Sequence, residues 1–421
     1  MKRHQYFVKQ WKWILCLLLT LGSFGLIHSV QAGKITVEEE IIPFPKPVIE
    51  EKAPAEEKQK IDESTQKDAL ETNQAGDIAL LLPMNSQYFG KVSELIYAGI
   101  LQGYKQSAND DQQIRPLKLY PTSDQVNSMV EQYWNAHRDG ASLIIGPINK
   151  NAILQILQNE NGIGSIPLLA LNIPDKIEAS LLNQPVYFFP LEIEAEARQI
   201  AQLAFDEGKR KALIITTNSS TSQRLQNAFA QAWENIGGTI VQTHTMTPNA
   251  KTYTQLKEVL KQTVKAKTGP TVDMIFVAAE GDRAKVIYSL LPTGQKISIY
   301  MTSYAFTKKA EQLNAYNQAK LLAMPYMLSA SLQEGFPKTI TTVDQGRFFA
   351  FGVDIGRLMY VLLYYVPLKT GFELDGISGQ IKLNDSKQFV RSLTPVKFQK
   401  NDLVPWTLNQ NDDKKDNTES K

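Results

Sequence analysis

The residues able to do chemistry in this 421-residue sequence stand in loops after short apolar runs, and their types suit holding a small polar ligand. Asn85 and Ser86 follow the run at 78–82 and bring a carboxamide and a hydroxyl to the place where a helix should begin. A helix start leaves backbone N–H groups unpaired, which suits a carboxylate or another anion. Asn and Ser are also preferred helix caps, so the pair either meets a ligand or closes its own helix. Glu280 follows the run at 274–278 and precedes Gly281-Asp282; it faces an ammonium or hydroxyl group, or only water. Gly146-Pro147 ends a third run where backbone crowds the loop. Asn172 bonds either a ligand or its own turn. Asn218 sits in the loop 217–221, and Ser303 and Tyr304 fall where the chain should cross between two lobes. A tyrosine at such a crossing either packs or recognises.

The same residue types do not assemble into a catalytic pattern. Beyond the N-terminal segment the chain has only His137 and His244, with no partner at i+4 and no HExxH spacing for a metal. There is no GxSxG elbow and no GxxxxGK[ST] phosphate loop. The glycines of NGIGSIP do not open a helix after a strand, so they are not a dinucleotide fingerprint. Glu192, Glu194 and Glu196 mark a helix start, where acids favour the dipole. The expectation is a protein that is not an enzyme and carries no cofactor or metal.

Positioning these loops requires alternating strands and helices. Apolar runs at 78–82, 114–120, 142–145, 167–171 and 186–189 alternate with helix-period segments at 90–106, 124–138 and 149–159. The rhythm restarts with a helix at 192–207 and strands at 212–216, 239–244, 274–278 and 297–300, separated by helices at 222–235, 253–264 and 283–290. Such alternation predicts an α/β fold of two lobes, each a mostly parallel sheet flanked by helices. In such sheets ligands bind beyond the carboxyl ends of the strands, where the loops named above lie. A strand near 321–324 and an apolar helix near 347–365 follow; Asp354 and Arg357 interrupt that helix, which argues for a core helix at the lobe junction and against a membrane span. The segment 376–399 reads as a hairpin turning at Asn384-Asp385. The expected lobes are 77–190 with 302–400, and 191–301.

The flanks read differently. Lys2, Arg3, Lys9 and Lys12 precede an apolar run at 13–27, which closes on Val30-Gln31-Ala32. This is the layout of a secretory signal peptide cleaved after residue 32. The single cysteine, Cys16, lies inside that run, so the remainder would hold no disulfide, thiolate site or lipid-accepting cysteine. Residues 33–76 carry six Lys against eleven Asp or Glu, a net charge of 6 − 11 = −5, with Pro43, Pro45, Pro47 and Pro54. They read as an extended linker, and 401–421 as a flexible polar tail. The net charge of +2 gives no basic excess for nucleic acid. The expected protein is periplasmic and soluble after cleavage, touching a membrane only through an uncleaved signal segment or a partner.

Several stretches in order, IALLLPMNSQYFG, LIIGPINKNAI, IPLLALN, EAEARQIAQLA, FVAAEGDRAKVIYSLLP, FGVDIGRL and LDGISGQIKLND, resemble the C-terminal domain of the LppC-type penicillin-binding-protein activators. The resemblance runs over about 77–400. It implies a type I periplasmic-binding-protein-like fold, a class A penicillin-binding protein as partner, and stimulation of peptidoglycan synthesis. The sequence departs from that pattern in having no cysteine at the cleavage site and no helical-repeat region in 33–76. The alternative, from the loops themselves, is a solute-binding protein for an amino-acid-like or other small polar ligand.

Overall fold

Unbroken runs of Ile, Leu, Val and Ala suit strands buried on both faces, the condition of a parallel sheet covered by helices. The computed structural model describes residues 76–406, apart from 108–114, 248, 265–270, 292–296, 307–315, 317 and 400–401. The expected signal segment, nearly all of the expected linker and residues 407–421 lie outside the described residues.

The first lobe runs β1 (Ile78–Leu80), α1 (Gly90–Ser107), β2 (Leu117–Leu119), α2 (Val126–Arg138), β3 (Leu143–Ile145), α3 (Lys150–Leu157), β4 (Leu168–Ala170) and β5 (Val186–Phe188). Its five strands are all parallel, in the order β2-β1-β3-β4-β5. Side chains alternate across the sheet. Ile78 and Leu80 pack into one core with Ile96 and Ile100, and Ala79 and Leu81 into another with Tyr133 and Ile153. Asn149 caps α3, its side chain accepting from the backbone N–H groups of Asn151 and Ala152. The helix expected from 124 starts two residues later, because Asp124 is engaged elsewhere.

The second lobe begins with α4 (Ile193–Asp206), β6 (Lys211–Thr217), α5 (Ser220–Asn235), β7 (Thr239–Met246), α6 (Ala250–Thr263), β8 (Met274–Ala278), α7 (Gly281–Leu290), β9 (Ser298–Met301) and β10 (Lys320–Ala323). Two short helices, α8 (Pro325–Leu328) and α9 (Ala330–Glu334), lead to the long α10 (Val343–Tyr364). The chain then forms β11 (Glu373–Asp375), β12 (Gln380–Leu383), β13 (Phe389–Ser392), β14 (Thr394–Gln399) and β15 (Asp402–Pro405). Strands β11, β12 and β13 make a small antiparallel sheet. The seven-stranded sheet has the order β15-β14-β10-β9-β8-β6-β7.

The lobe boundary therefore differs from the sequence expectation. β10 lies parallel beside β9, and β14 lies antiparallel beside β10, so both belong to the second lobe. The physical reason is burial: Leu321, Leu322 and Ala323 are fully buried and need a neighbour on each side, which the edge of β9 and the incoming β14 supply. Residues 402–405 of the expected tail pair with β14, and Trp406 packs near Tyr300 and Lys320.

Helix α10 joins the lobes. A capping box starts it: Thr342 accepts from the Gln345 N–H, and the Gln345 side chain accepts from the Thr342 N–H. Phe349, Ala350 and Val353 pack in the second lobe's core, whereas Phe351, Ile355, Leu358 and Met359 pack in the first lobe's. Among the described residues no helix is long and apolar enough to cross a membrane. Against α1 the contact is backbone to backbone. A Cβ on Gly99 would lie 2.2 Å from the Phe349 carbonyl oxygen, one on Gly103 2.0 Å from that of Val353, and one on Gly352 2.2 Å from that of Ile96.

Candidate functional site

In the first lobe, the candidate groups are spent on their own and neighbouring loops. Ser86 is buried. Its hydroxyl accepts from the backbone N–H groups of Tyr88 and Phe89 at 3.1 and 2.8 Å and donates to Asp124 at 2.5 Å. That is a cap, with Asp124 drawn off its own helix to complete it. Asn85 is exposed, and its backbone N–H is held by the Thr122 carbonyl. Gly146 has φ +92°, and a Cβ there would meet the Leu81 carbonyl oxygen at 2.3 Å, so only glycine fits. The Pro147 carbonyl accepts from Leu171 N–H. Asn172 ties its loop to the one after β3: its Nδ2 donates to the Ile148 carbonyl and its Oδ1 accepts from Ile173 N–H, each at 2.9 Å.

The second lobe places two groups together. Asn218 is exposed at the end of β6. Next to it Thr217 Oγ1 donates to Ser222 Oγ at 2.7 Å, and Ser222 Oγ donates to Glu280 Oε2 at 2.7 Å. Arg283 Nη1 donates to the other Glu280 oxygen at 3.1 Å. Glu280 thus ties the first turns of α5 and α7 together and remains partly exposed at the strand ends.

The remaining candidates, Ser303 and Tyr304, lie at the lobe junction among charges that the sequence reading passed over. Ser303 donates both its N–H and its hydroxyl to the Glu196 carboxylate, each at 2.8 Å. Glu196 is 3% exposed and sits in the first turn of α4. The same carboxylate receives Arg347 Nη1 at 3.3 Å. Arg347, 1% exposed, begins α10 and lies 3.6 Å from the Tyr304 ring centroid. Arg391, 8% exposed on β13, stands 6.0 and 5.8 Å from the ring centroids of Phe189 and Phe351. Among the described residues, Arg347 Nε and Nη2 and Arg391 Nε and Nη1 are buried without a hydrogen-bond partner. An unpaired buried donor costs about 1–3 kcal/mol, so this concentration is expensive. Burial holds Arg391 below the ordinary arginine value, and the charge of Arg347 adds to that; Tyr304, Glu196 and Asp354 pull the other way. Burial pushes the Tyr304 hydroxyl up, against the pull of Arg347 and Arg391.

Two sequence signals could have found these residues. Arg391 shares the inward parity of Phe389 on an alternating strand, so a charge falls on the buried face. Arg347 opens an apolar helix and, like Asp354, interrupts it. Glu196 looked like one of three ordinary helix-start acids, and only the fold separates it from Glu192 and Glu194, which pair with the more exposed Arg198 and Arg224. Among the described residues no group of three or more His, Cys, Asp or Glu is arranged to hold a metal.

A family model described as "LppC putative lipoprotein" matches residues 62–401. The chain belongs to the LppC family. Its relatives include the "Penicillin-binding protein activator LpoA" of Escherichia coli (strain K12), 26% identical over 333 residues, covering 69% of this chain and 47% of that protein. LpoA of Enterobacter sp. (strain 638) is 24% identical over 333 residues, covering 69% of this chain and 44% of the relative. The chain thus spans rather less than half the length of these relatives. Among solved structures, the LpoA (YraM) C-domain from Haemophilus influenzae, "a regulator of PBP1A", has a TM-score of 0.60 at 20% identity, covering 79% of this chain and all of that domain. A "putative branched-chain amino acid ABC transporter" from Chromobacterium violaceum has a TM-score of 0.60 at 24% identity, covering 77% of this chain and all of the other. The fold of this LppC-family chain is accordingly the two-lobed, periplasmic-binding-protein-like α/β fold.

Proposed function

We propose that this chain is a non-catalytic periplasmic regulator that contacts a class A penicillin-binding protein and stimulates its peptidoglycan synthesis. The observation that carries the reading is the family match over residues 62–401, together with relatives named as penicillin-binding protein activators. The site geometry supports it. The polar groups at the strand ends hold each other: Ser86 with Asp124, Asn172 with the Ile148 carbonyl, Ser222 with Glu280. Residues 1–32 act as an export signal, 33–76 as a spacer, and 77–400 as the working domain, which acts in the periplasm.

The test is a pulldown of a purified class A synthase with this chain, paired with a glycan-polymerisation assay. Binding with a faster polymerisation rate is the expected result. Neither binding nor a rate change, with a correctly folded chain, would sink the reading. The solute-binding alternative shares the fold with the Chromobacterium protein, but fold likeness at that identity does not extend to its ligand.

A further inference from the structure

We propose that β7 is a docking edge for a second copy of this chain, the two strands pairing antiparallel about a two-fold axis. β7 is the outermost strand of the seven-stranded sheet and, at eight residues, the longest strand among those described. One side of it pairs with β6 from Lys211 to Thr217. Among the described residues no strand pairs with its other side. Helices cover both faces: Ile240 packs against the core that holds Phe229 and Trp233 of α5, and Met246 packs with Leu256 and Leu260 of α6. What is left is a row of backbone N–H and C=O groups along one edge, the feature that recruits another strand.

The other sheet edges among the described residues are defended, each by a device that blocks pairing. β2 carries Lys118 at its centre, and β11 carries Glu373 and Asp375. β15 runs from Asp402 to Pro405. β5 is covered, its Phe188 N–H donating to the Lys387 carbonyl. β13 turns Arg391 inward. β7, with the sequence TIVQTHTM, has no Asp, Glu, Lys, Arg or Pro. Its irregularity lies near its start: the register with β6 skips Val241, and the Thr239 carbonyl is taken by Trp233 Nε1. From Gln242 to Met246 the register is unbroken, opposite Leu213–Thr217. The missing charge selects the occupant. About a two-fold axis each side chain near the centre meets its own kind, so a lysine or glutamate there would oppose itself. An axis at His244 sets the exposed Thr243 against Thr245 of the copy, a pair whose hydroxyls bond across strands. Burial lowers the pKa of His244 below the ordinary 6.5, so the histidine at the axis is uncharged at neutral pH. A strand from a different protein would be under no such restriction, and complementary charge is the usual means of selecting one. The proposal goes beyond the activator reading and does not depend on it.

The experiment is sedimentation equilibrium of the purified chain from about 5 to about 500 µM, with amide hydrogen exchange measured at both ends of that range. One strand edge is a small interface, so the expected result is a weak, reversible dimer whose share rises with concentration. The amides of 242–246 should exchange more slowly in the concentrated sample. Val241→Lys/Thr243→Lys places charge at two exposed positions of the edge; it should weaken association at least about tenfold and leave the melting temperature unchanged. Asn151→Lys/Gln155→Lys, the same added charge on exposed positions of α3 in the first lobe, should associate like the parent. Should the β7 variant fold poorly, the exchange pattern of the parent still decides. The proposal is overturned by a parent that stays monomeric throughout, by a dimer that persists in Val241→Lys/Thr243→Lys, or by exchange protection confined to other strands. Capture of a strand from another protein at this edge, with the chain alone monomeric, overturns it as well. Synthase binding without self-association leaves the activator reading standing, so the two fail separately.

Discussion

Helix α10 carries two buried charges about two turns apart, and the molecule treats them in opposite ways. Asp354, fully buried, accepts three hydrogen bonds from one tight loop, at 2.9, 2.8 and 2.5 Å from Ile377 N–H, Ser378 N–H and Ser378 Oγ. Burial pushes its carboxyl up, and Arg357 and these donors pull it back down. Arg347 finds one buried acceptor, Glu196 Oε1, and leaves two nitrogens over. The Asp354 loop is local and shaped to one carboxylate. The Arg347 surroundings are assembled from α4 and the loop after β9, and their donors outnumber their acceptors. The first arrangement closes on itself; the second leaves buried donors over.

Three measurements break or sharpen that contrast. Asp354→Ala should cost the most, about 3–5 kcal/mol, because it leaves two backbone N–H groups and the buried Ser378 hydroxyl facing a gap. Equilibrium urea unfolding measures it, and a loss below about 1 kcal/mol would mean the loop is not held by this carboxylate. Arg347→Met should cost less, about 1–2 kcal/mol, since it relieves a guanidinium that is only partly paired and the Glu196 left behind keeps both hydrogen bonds from Ser303. If the two variants proved equally damaging, the two ends of α10 would not differ as described.

The smallest effect concerns His244, whose buried Nε2 also has no partner among the described residues. Unlike arginine, histidine can shed its charge. Burial lowers its pKa below the ordinary value of 6.5, against a backbone bond from Thr252 that raises it. The unfolded chain then takes up the proton first, so stability should fall as pH drops through about 6.5 and keep falling down to the folded pKa. His244→Gln should flatten the decline between about pH 7 and 5 in thermal melts. An identical slope in the variant would remove His244 from the group of unsatisfied buried residues.

Much of this fold was legible because its signals are local. The turn at Asn384 follows from residue type: its side chain accepts from Ser386 and Gln388 N–H groups. The glycine at 146 announces a close approach, and the apolar runs announce buried strands. What could not be read is pairing across distance. β10 and β14 join the second sheet because of neighbours some 70 residues apart in the chain, and local periodicity carries no information about which edge a strand will choose. The candidate site divides the same way. Ser86 was foreseen as a possible cap, and it accepts from Phe89 N–H; Asn172 was foreseen in its own turn, but its Nδ2 reaches the Ile148 carbonyl in the loop after β3. Ser303 was named, but Glu196, its partner, is 107 positions away, and Arg347 is 151 from Glu196.

The seam between α1 and α10 has a consequence for how this protein can vary. At Gly99, Gly103 and Gly352 the side chain is already the smallest the genetic code offers. No graded series of substitutions exists there, and trimming a neighbouring side chain makes no room, since the obstacle is main chain. Change at these positions is all or nothing, so adjustments to how the lobes are joined must be made through the loops and strands that cross beside α10.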